Sequence, residues 1–360
     1  MKSNFNTINE LAREVLERDE RKKDLLPDTR QIRLLEDGET YSVEGQGEFK
    51  GTEHFHGQVA GHYGIPKRYL DACRDVPGLR AQNVNGWLDS KPEQRLVRTL
   101  DGNARAFMSK KYGLLYDDPF TLDCILEATS FRKDLEIINC VVSPYRTYLQ
   151  FVLNEFTAEI KGRNKRKGDV LRWGATWYNS EVGKGKNHIA GWFEFCWCDN
   201  GCVRQDIFSK THVGSALECD DTFNVLSNEA VKAEATALKL KLRDVLKHTI
   251  TKTAFEAEVK KIEATLNDEI ARPEDVVKNV TKTFDSTLTQ DDNDSILKTL
   301  VDEGNLNRYG LLNAITALAH GTDDHEKQYE YEKLGGKIIE LNKDQWSHLN
   351  KEVKEEAKSA

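Results

Sequence analysis

Between two β-like segments the chain carries Lys161-Gly162-Arg163-Asn164-Lys165-Arg166-Lys167-Gly168, five cations in seven residues. Such a run contacts phosphates without reading bases, which gives salt-sensitive, sequence-independent affinity for nucleic acid. Its plainer reading is a solvated loop that keeps edge strands from mispairing. Trp173, Trp177, Trp192 and Trp197 fall within 25 residues of one another, accompanied by Tyr178, Phe193 and Phe195. Flat rings beside cations offer single-stranded bases a surface to stack on. The alternation Trp173/Ala175/Trp177 and Phe193/Phe195/Trp197 equally describes the core face of strands.

Other residue types point to metals. Cys196-x-Cys198-x3-Cys202 with His212 supplies zinc-type ligands but lacks the paired C-x2-C spacing. His54-x-His56 with His62, and His320 with Asp323, Asp324 and His325, are further groupings that a metal could use. Phosphate-binding and nucleophile signatures are missing: there is no Walker-type loop, dinucleotide fingerprint or nucleophile elbow. Asn179-Ser180-Glu181-Val182-Gly183 is a polar turn at a strand end, able to hold a phosphate or simply to close the turn. No catalytic residue, metal or cofactor is assigned.

The elements that would position these residues follow from periodicity. Thr7 with Glu10 makes a capping box, and Ile8, Leu11, Val15 and Leu16 form the apolar stripe of a first helix. Short alternating runs between Ile32 and Gly57 predict hairpins, and Gln58–Cys73 reads as helix interrupted at Gly64-Ile65-Pro66. Two strand-like runs flank Asp101-Gly102, a two-residue hairpin signal, and bring Arg95, Arg98 and Arg105 into that hairpin. After a helix near Pro119–Ser130, five strands are expected at Leu135–Val142, Thr147–Phe156, Val170–Tyr178, Ile189–Trp197 and Val203–Phe208. From Ser227 the period changes to about 3.6 and stays helical, with a restart at Pro273.

Composition agrees with a globular chain: 360 residues, 38% hydrophobic and 31% charged, with no apolar stretch long enough for a signal or a membrane span. Seven scattered cysteines suggest reduced thiols and hence the cytoplasm. The net charge of −8 is unevenly spread. From Ala216 onward there are 20 basic and 29 acidic residues, whereas Lys161–Ser215 holds 10 basic against 5 acidic. The acidity therefore belongs to the C-terminal part.

Several segments taken together resemble one family. Ile65-Pro66-Lys67-Arg68-Tyr69-Leu70, Asn85-Gly86-Trp87-Leu88, Arg98-Thr99-Leu100-Asp101-Gly102 and Ala104-Arg105-Ala106-Phe107-Met108-Ser109 come first. Asn179-Ser180-Glu181-Val182-Gly183, Cys198-Asp199-Asn200-Gly201 and His212-Val213-Gly214 follow, in the order seen in the phage/plasmid-like proteins called domain of unknown function 932. The resemblance covers residues 58–250 and implies a phage, plasmid or prophage setting, with motif positions that suggest a binding surface and no established reaction. A looser similarity, at the level of architecture, is to the single-strand annealing proteins of phages, whose core is an antiparallel β-meander followed by a long helix.

These readings predict an α+β fold with a central antiparallel β-meander, flanking helices and a C-terminal helical module. Three parts are expected: residues 1–57, a core over 58–250 and an acidic helical module over 251–360. The expected function is non-catalytic binding of single-stranded DNA, with strand annealing in phage or plasmid recombination or replication as its use. Lys161, Arg163, Lys165, Arg166, Lys167, Arg172, Lys184 and Lys186 would hold phosphates, Arg98 and Arg105 would extend the track, and Trp177 and Tyr178 beside Asn179 would stack bases. A homo-oligomer would lengthen that track, with no membrane involved. The rival readings are a metal-dependent hydrolase of nucleotides or nucleic acid built on the histidine groupings, and a protein-binding anti-defence factor.

Overall fold

The capping box at Thr7 and Glu10 opens helix α1 (Ile8–Arg21) in the computed structural model, which describes residues 3–5, 7–110, 112, 117–160, 169–196, 200–210, 228–284, 288–322 and 324–351. Two six-stranded sheets organise the described residues. The first contains β2 (Lys22–Leu25), β3 (Ile32–Leu34), β4 (Thr40–Val43), β5 (Gly47–Gly51), β6 (Arg95–Leu100) and β7 (Asn103–Ser109) in the order β2-β6-β7-β5-β4-β3. Its β5–β7 pair is parallel and the others are antiparallel. The Asp101-Gly102 turn joins β6 to β7 with positive φ at both residues, +50° and +77°, as a two-residue hairpin of the favoured twist requires. Helices α2 (Glu53–Tyr63), α3 (Lys67–Ala72) and α4 (Pro77–Ser90) cover this sheet, burying Phe55, Val59, Leu70, Val84 and Leu88 with Ile32, Val43 and Phe107.

The second sheet runs β1 (Ser3–Asn4), β8 (Leu135–Val142), β9 (Thr147–Ile160), β10 (Asp169–Asn179), β11 (Asn187–Phe195) and β12 (Asn200–Lys210). Every neighbouring pair is antiparallel, so β8 to β12 form a meander in chain order. The strand period of two divides its side chains between two faces. Leu149, Phe151, Trp173, Ala175, Trp177 and Phe193 share one core with α5 (Asp118–Thr129), α6 (Asn228–Thr249) and α7 (Lys252–Thr265). Tyr148, Val152, Tyr178, Ala190 and Trp192 occupy the opposite face, where Tyr329 of α11 (His325–Glu340) closes over them.

The remaining helices are α8 (Pro273–Thr283), α9 (Gln290–Glu303), α10 (Arg308–Ala317) and α12 (Lys343–Leu349). Val276, Ile296, Leu311 and Ile338 from these helices and α11 belong to the same core as Trp177. The expected part boundary at 250/251 therefore lies inside one continuous core, and the one at 57/58 falls within α2. The α+β class and the order of strands then helices stand as predicted. No helix among the described residues is long and apolar enough to cross a membrane.

Candidate nucleic-acid interface

Of the residues expected to line a trough, Arg98 is wholly enclosed. It is 0% exposed and holds two carboxylates with two hydrogen bonds each: Asp24 at 2.8 and 2.7 Å through Nε and Nη2, Asp117 at 3.0 and 2.8 Å through Nη1 and Nη2. Its Nη1 also donates to the Glu181 carbonyl at 2.7 Å. Lys22 Nζ reaches Asp117 at 2.9 Å and Glu181 at 3.3 Å, and the Asp118 amide donates to the Glu181 carboxylate at 3.0 Å. Asn179 donates to Asp118 at 2.8 Å, and the Thr147 hydroxyl bonds the same carboxylate. This cluster joins β2 and β6 of one sheet to the start of α5 and to the strand ends of the other. Desolvated charges persist only when each is paired and hydrogen-bonded, so the cluster is a structural joint.

The electrostatics follow from that burial. Burial pulls the Arg98 guanidinium down, but Asp24, Asp117 and Glu181 outweigh it and hold it well above the usual range. Burial and the Glu181 charge push Asp117 and Asp118 upward. Burial acts on Glu181 too, yet Lys22, Arg98 and Arg18 hold it below the ordinary carboxylate range. Neither Arg98 nor Asn179 meets solvent, which corrects the expectation that they touch nucleic acid. Arg98 of the Arg98–Gly102 motif and Asn179 and Glu181 of the Asn179–Gly183 motif are thus parts of the sheet-to-sheet joint, where a binding surface was expected.

Four further expectations are corrected because burial, or pairing with carboxylates in the case of Arg172, occupies the side chain. Arg105 is buried with Nη2 donating to the Pro144 carbonyl at 2.5 Å; burial and nearby Arg18 push it down to about 10. Arg172 bonds Glu194 and, at 2.6 Å, Glu136, with Asn154 Oδ1 at 3.0 Å. Trp177 is 0% exposed and its indole donates to Asn187 Oδ1 at 3.1 Å. Tyr178 is 6% exposed. Its ring packs on Tyr329 at 4.8 Å and beneath the Arg146 guanidinium at 4.6 Å, so no face is left for a base. Trp173, Trp177 and Trp192 are buried because a meander covered by helices needs large apolar side chains on alternate positions, and Trp197 lies outside the described residues.

Lys184 and Lys186 are exposed, as expected. Lys184 lies 4.5 Å from the Tyr145 ring centre and 3.2 Å from Glu326, whereas Lys186 makes no ion pair among the described residues. Lys184 and Arg146 rim a cavity of about 320 Å³ at the ends of β8, β9 and β10, whose other charges are Asp324 and Glu326. Its cations already face carboxylates. Lys161, Arg163, Lys165, Arg166 and Lys167 lie outside the described residues, but the flanking ladder is paired as far as Ile160 and Asp169.

The histidines of the grouping His54, His56 and His62 have separate partners. His54 Nε2 bonds the Val182 carbonyl at 2.8 Å, His56 Nδ1 bonds the Tyr41 hydroxyl at 2.9 Å, and His62 faces Glu93. Cys198, His212 and Asp323 lie outside the described residues, and among the described ones no group of three His, Cys, Asp or Glu could hold a metal ion. Arg146, half-buried over Tyr178, and Lys333 and Lys337 on α11 are cations that pattern reading passed over; the pair flanking Leu334-Gly335-Gly336 on α11 was the available signal. No family model, no curated protein and no solved structure matches the chain.

Proposed function

We propose that the protein binds single-stranded DNA without catalysis and serves strand annealing in phage or plasmid recombination or replication. One observation carries the reading. The densest positive charge in the sequence is the connection between β9 and β10, two central strands of an antiparallel meander that is followed by the long helix α6. A phosphate-binding run on such a support holds a strand by its backbone and leaves the pairing edges free. The resemblance to phage/plasmid-like proteins and to strand-annealing architecture supports the same reading by analogy. Assembly of copies would extend the track, and the setting would be the cytoplasm.

Fluorescence anisotropy with labelled single- and double-stranded oligonucleotides at two salt concentrations tests it. Replacing Lys165, Arg166 and Lys167 with Ala should weaken single-strand binding by at least about tenfold, equally for all sequences. The slope of log affinity against log salt should fall by about two. Unchanged affinity would remove the run from the interface; no binding by the unaltered protein at low salt would end the reading.

A further inference from the structure

A second groove, of about 670 Å³, runs along α11 between that helix, the edge strand β12 and the ends of α8 and α12. Arg204, Phe284, Lys333, Lys337, Glu340 and Gln345 line it. Its floor is backbone: a Cβ on Gly336 would stand 1.8 Å from the Val203 carbonyl oxygen, so only glycine lets helix and strand lie this close. Arg204 Nη1 donates to the Gly336 carbonyl at 3.2 Å and fixes the crossing.

Among the described residues, the charges around this groove do not balance. Arg204 is bound by Glu258, at 2.5 Å, and by Glu340. Lys261 meets the same two carboxylates at 2.7 and 3.4 Å. Those two cations and two carboxylates cancel. Lys333 and Lys337 are left over, and among the described residues neither makes an ion pair. Their ammonium groups lie 5.8 Å from the Tyr329 ring centre and 5.7 Å from that of Phe284, so ring faces hold the lysines in place without neutralising them. One helical turn separates them, about 6 Å along the axis.

An open groove with two uncompensated cations in register, an apolar flank and a side-chain amide matches the chemistry of a phosphodiester strand. We infer that this groove is a second strand contact, with phosphates on Lys333 and Lys337 and the sugar and base lying on Phe284 and Leu341. The inference rests on the strand-binding reading and adds to it a surface in the acidic C-terminal module.

The test is anisotropy of a fluorescein-labelled oligothymidylate with the full chain at two salt concentrations. Three double variants are compared with the unaltered protein: Lys333→Glu/Lys337→Glu, Lys333→Arg/Lys337→Arg, and Lys252→Glu/Lys278→Glu as a control of equal net charge. Thermal melting confirms that each is folded. The groove variant should bind at least tenfold more weakly, the arginine variant should bind like the unaltered protein, and the control should stay within twofold. Equal losses in the groove variant and the control would overturn the groove as a site, because net charge alone would then explain them. Unaltered affinity in the groove variant would also overturn it while leaving the strand reading intact. No binding by the unaltered protein at low salt would overturn both.

Discussion

Arg98 and the lysine pair of α11 are cations placed under opposite rules. Arg98 is shut away from water and meets Asp24, Asp117 and the Glu181 carbonyl. Lys333 and Lys337 border an open groove and meet no carboxylate among the described residues. An interior charge survives folding only if the chain supplies its counter-charges, whereas a surface charge is compensated by water and ions. A buried cation therefore reports on architecture. An uncompensated one at the surface is free to serve a polyanion.

The sharpest way to break this contrast is at the joint itself. Arg98→Met should cost about 3–5 kcal/mol in urea unfolding, because it removes the cation that holds Asp24 and leaves buried Asp117 with Lys22 alone. Arg98→Lys should recover only part of the loss, since an ammonium cannot hold two carboxylates with two hydrogen bonds each. A loss below about 1 kcal/mol for Arg98→Met would show that the cluster is not the joint described above.

Glu332 sharpens the contrast in another way, as a buried charge site with no cation beside it. Its Oε2 accepts from Gln150 at 2.7 Å and from Tyr148 and Trp192 at 3.2 Å, yet burial pushes the carboxyl up to about 7 from an ordinary 4.5. The folded chain thus holds a proton that the unfolded chain releases. Its stabilising contribution is complete below the unfolded value and is lost as pH rises through about 7. Asp117 and Asp118, also raised, act in the same direction. Glu181, held low, contributes above the ordinary carboxylate range and loses that contribution only in strong acid. These carboxyls favour about pH 5 over about pH 8, and they are opposed by His56 and His54, which burial holds low so that their contribution grows as pH rises through the ordinary histidine range. Glu332→Gln should change little at the lower pH and gain about 1–3 kcal/mol at the higher. Equal losses at both values, measured by urea unfolding, would show that the charged form is needed.

Strand positions were legible because β-branched and aromatic runs alternate between turn residues, and the meander β8 to β12 falls close to the expected segments. The capping box of α1 and the Asp101-Gly102 turn were legible for the same local reason. The compensation of charge was not. Arg98 finds Asp24 74 positions away and Glu181 83 positions away, and Arg204 finds Glu340 136 positions away. Pairing over such separations is a property of topology, so a count of cations along the chain mistakes a joint for a binding track. Tyr178 was misread likewise, since the Tyr329 that covers it comes from a helix packed on the far face of the sheet.

Arg172 stands between the two extremes, and its replacement carries the smallest expected effect. Its guanidinium lies on the sheet surface, 20% exposed, between Glu136 and Glu194. Those partners, by hydrogen bonding that outweighs burial, hold it well above its usual range. Arg172→Ala should cost about 1 kcal/mol, because Glu194 is only 9% exposed and loses its partner. Oligonucleotide affinity and its salt slope should not move, since a cation already matched by two carboxylates releases no counterions from a strand. A clear loss of affinity in anisotropy, with stability unchanged, would mean that Arg172 leaves its carboxylates for phosphate, and exposure would then matter more than pairing in deciding which cations serve a strand.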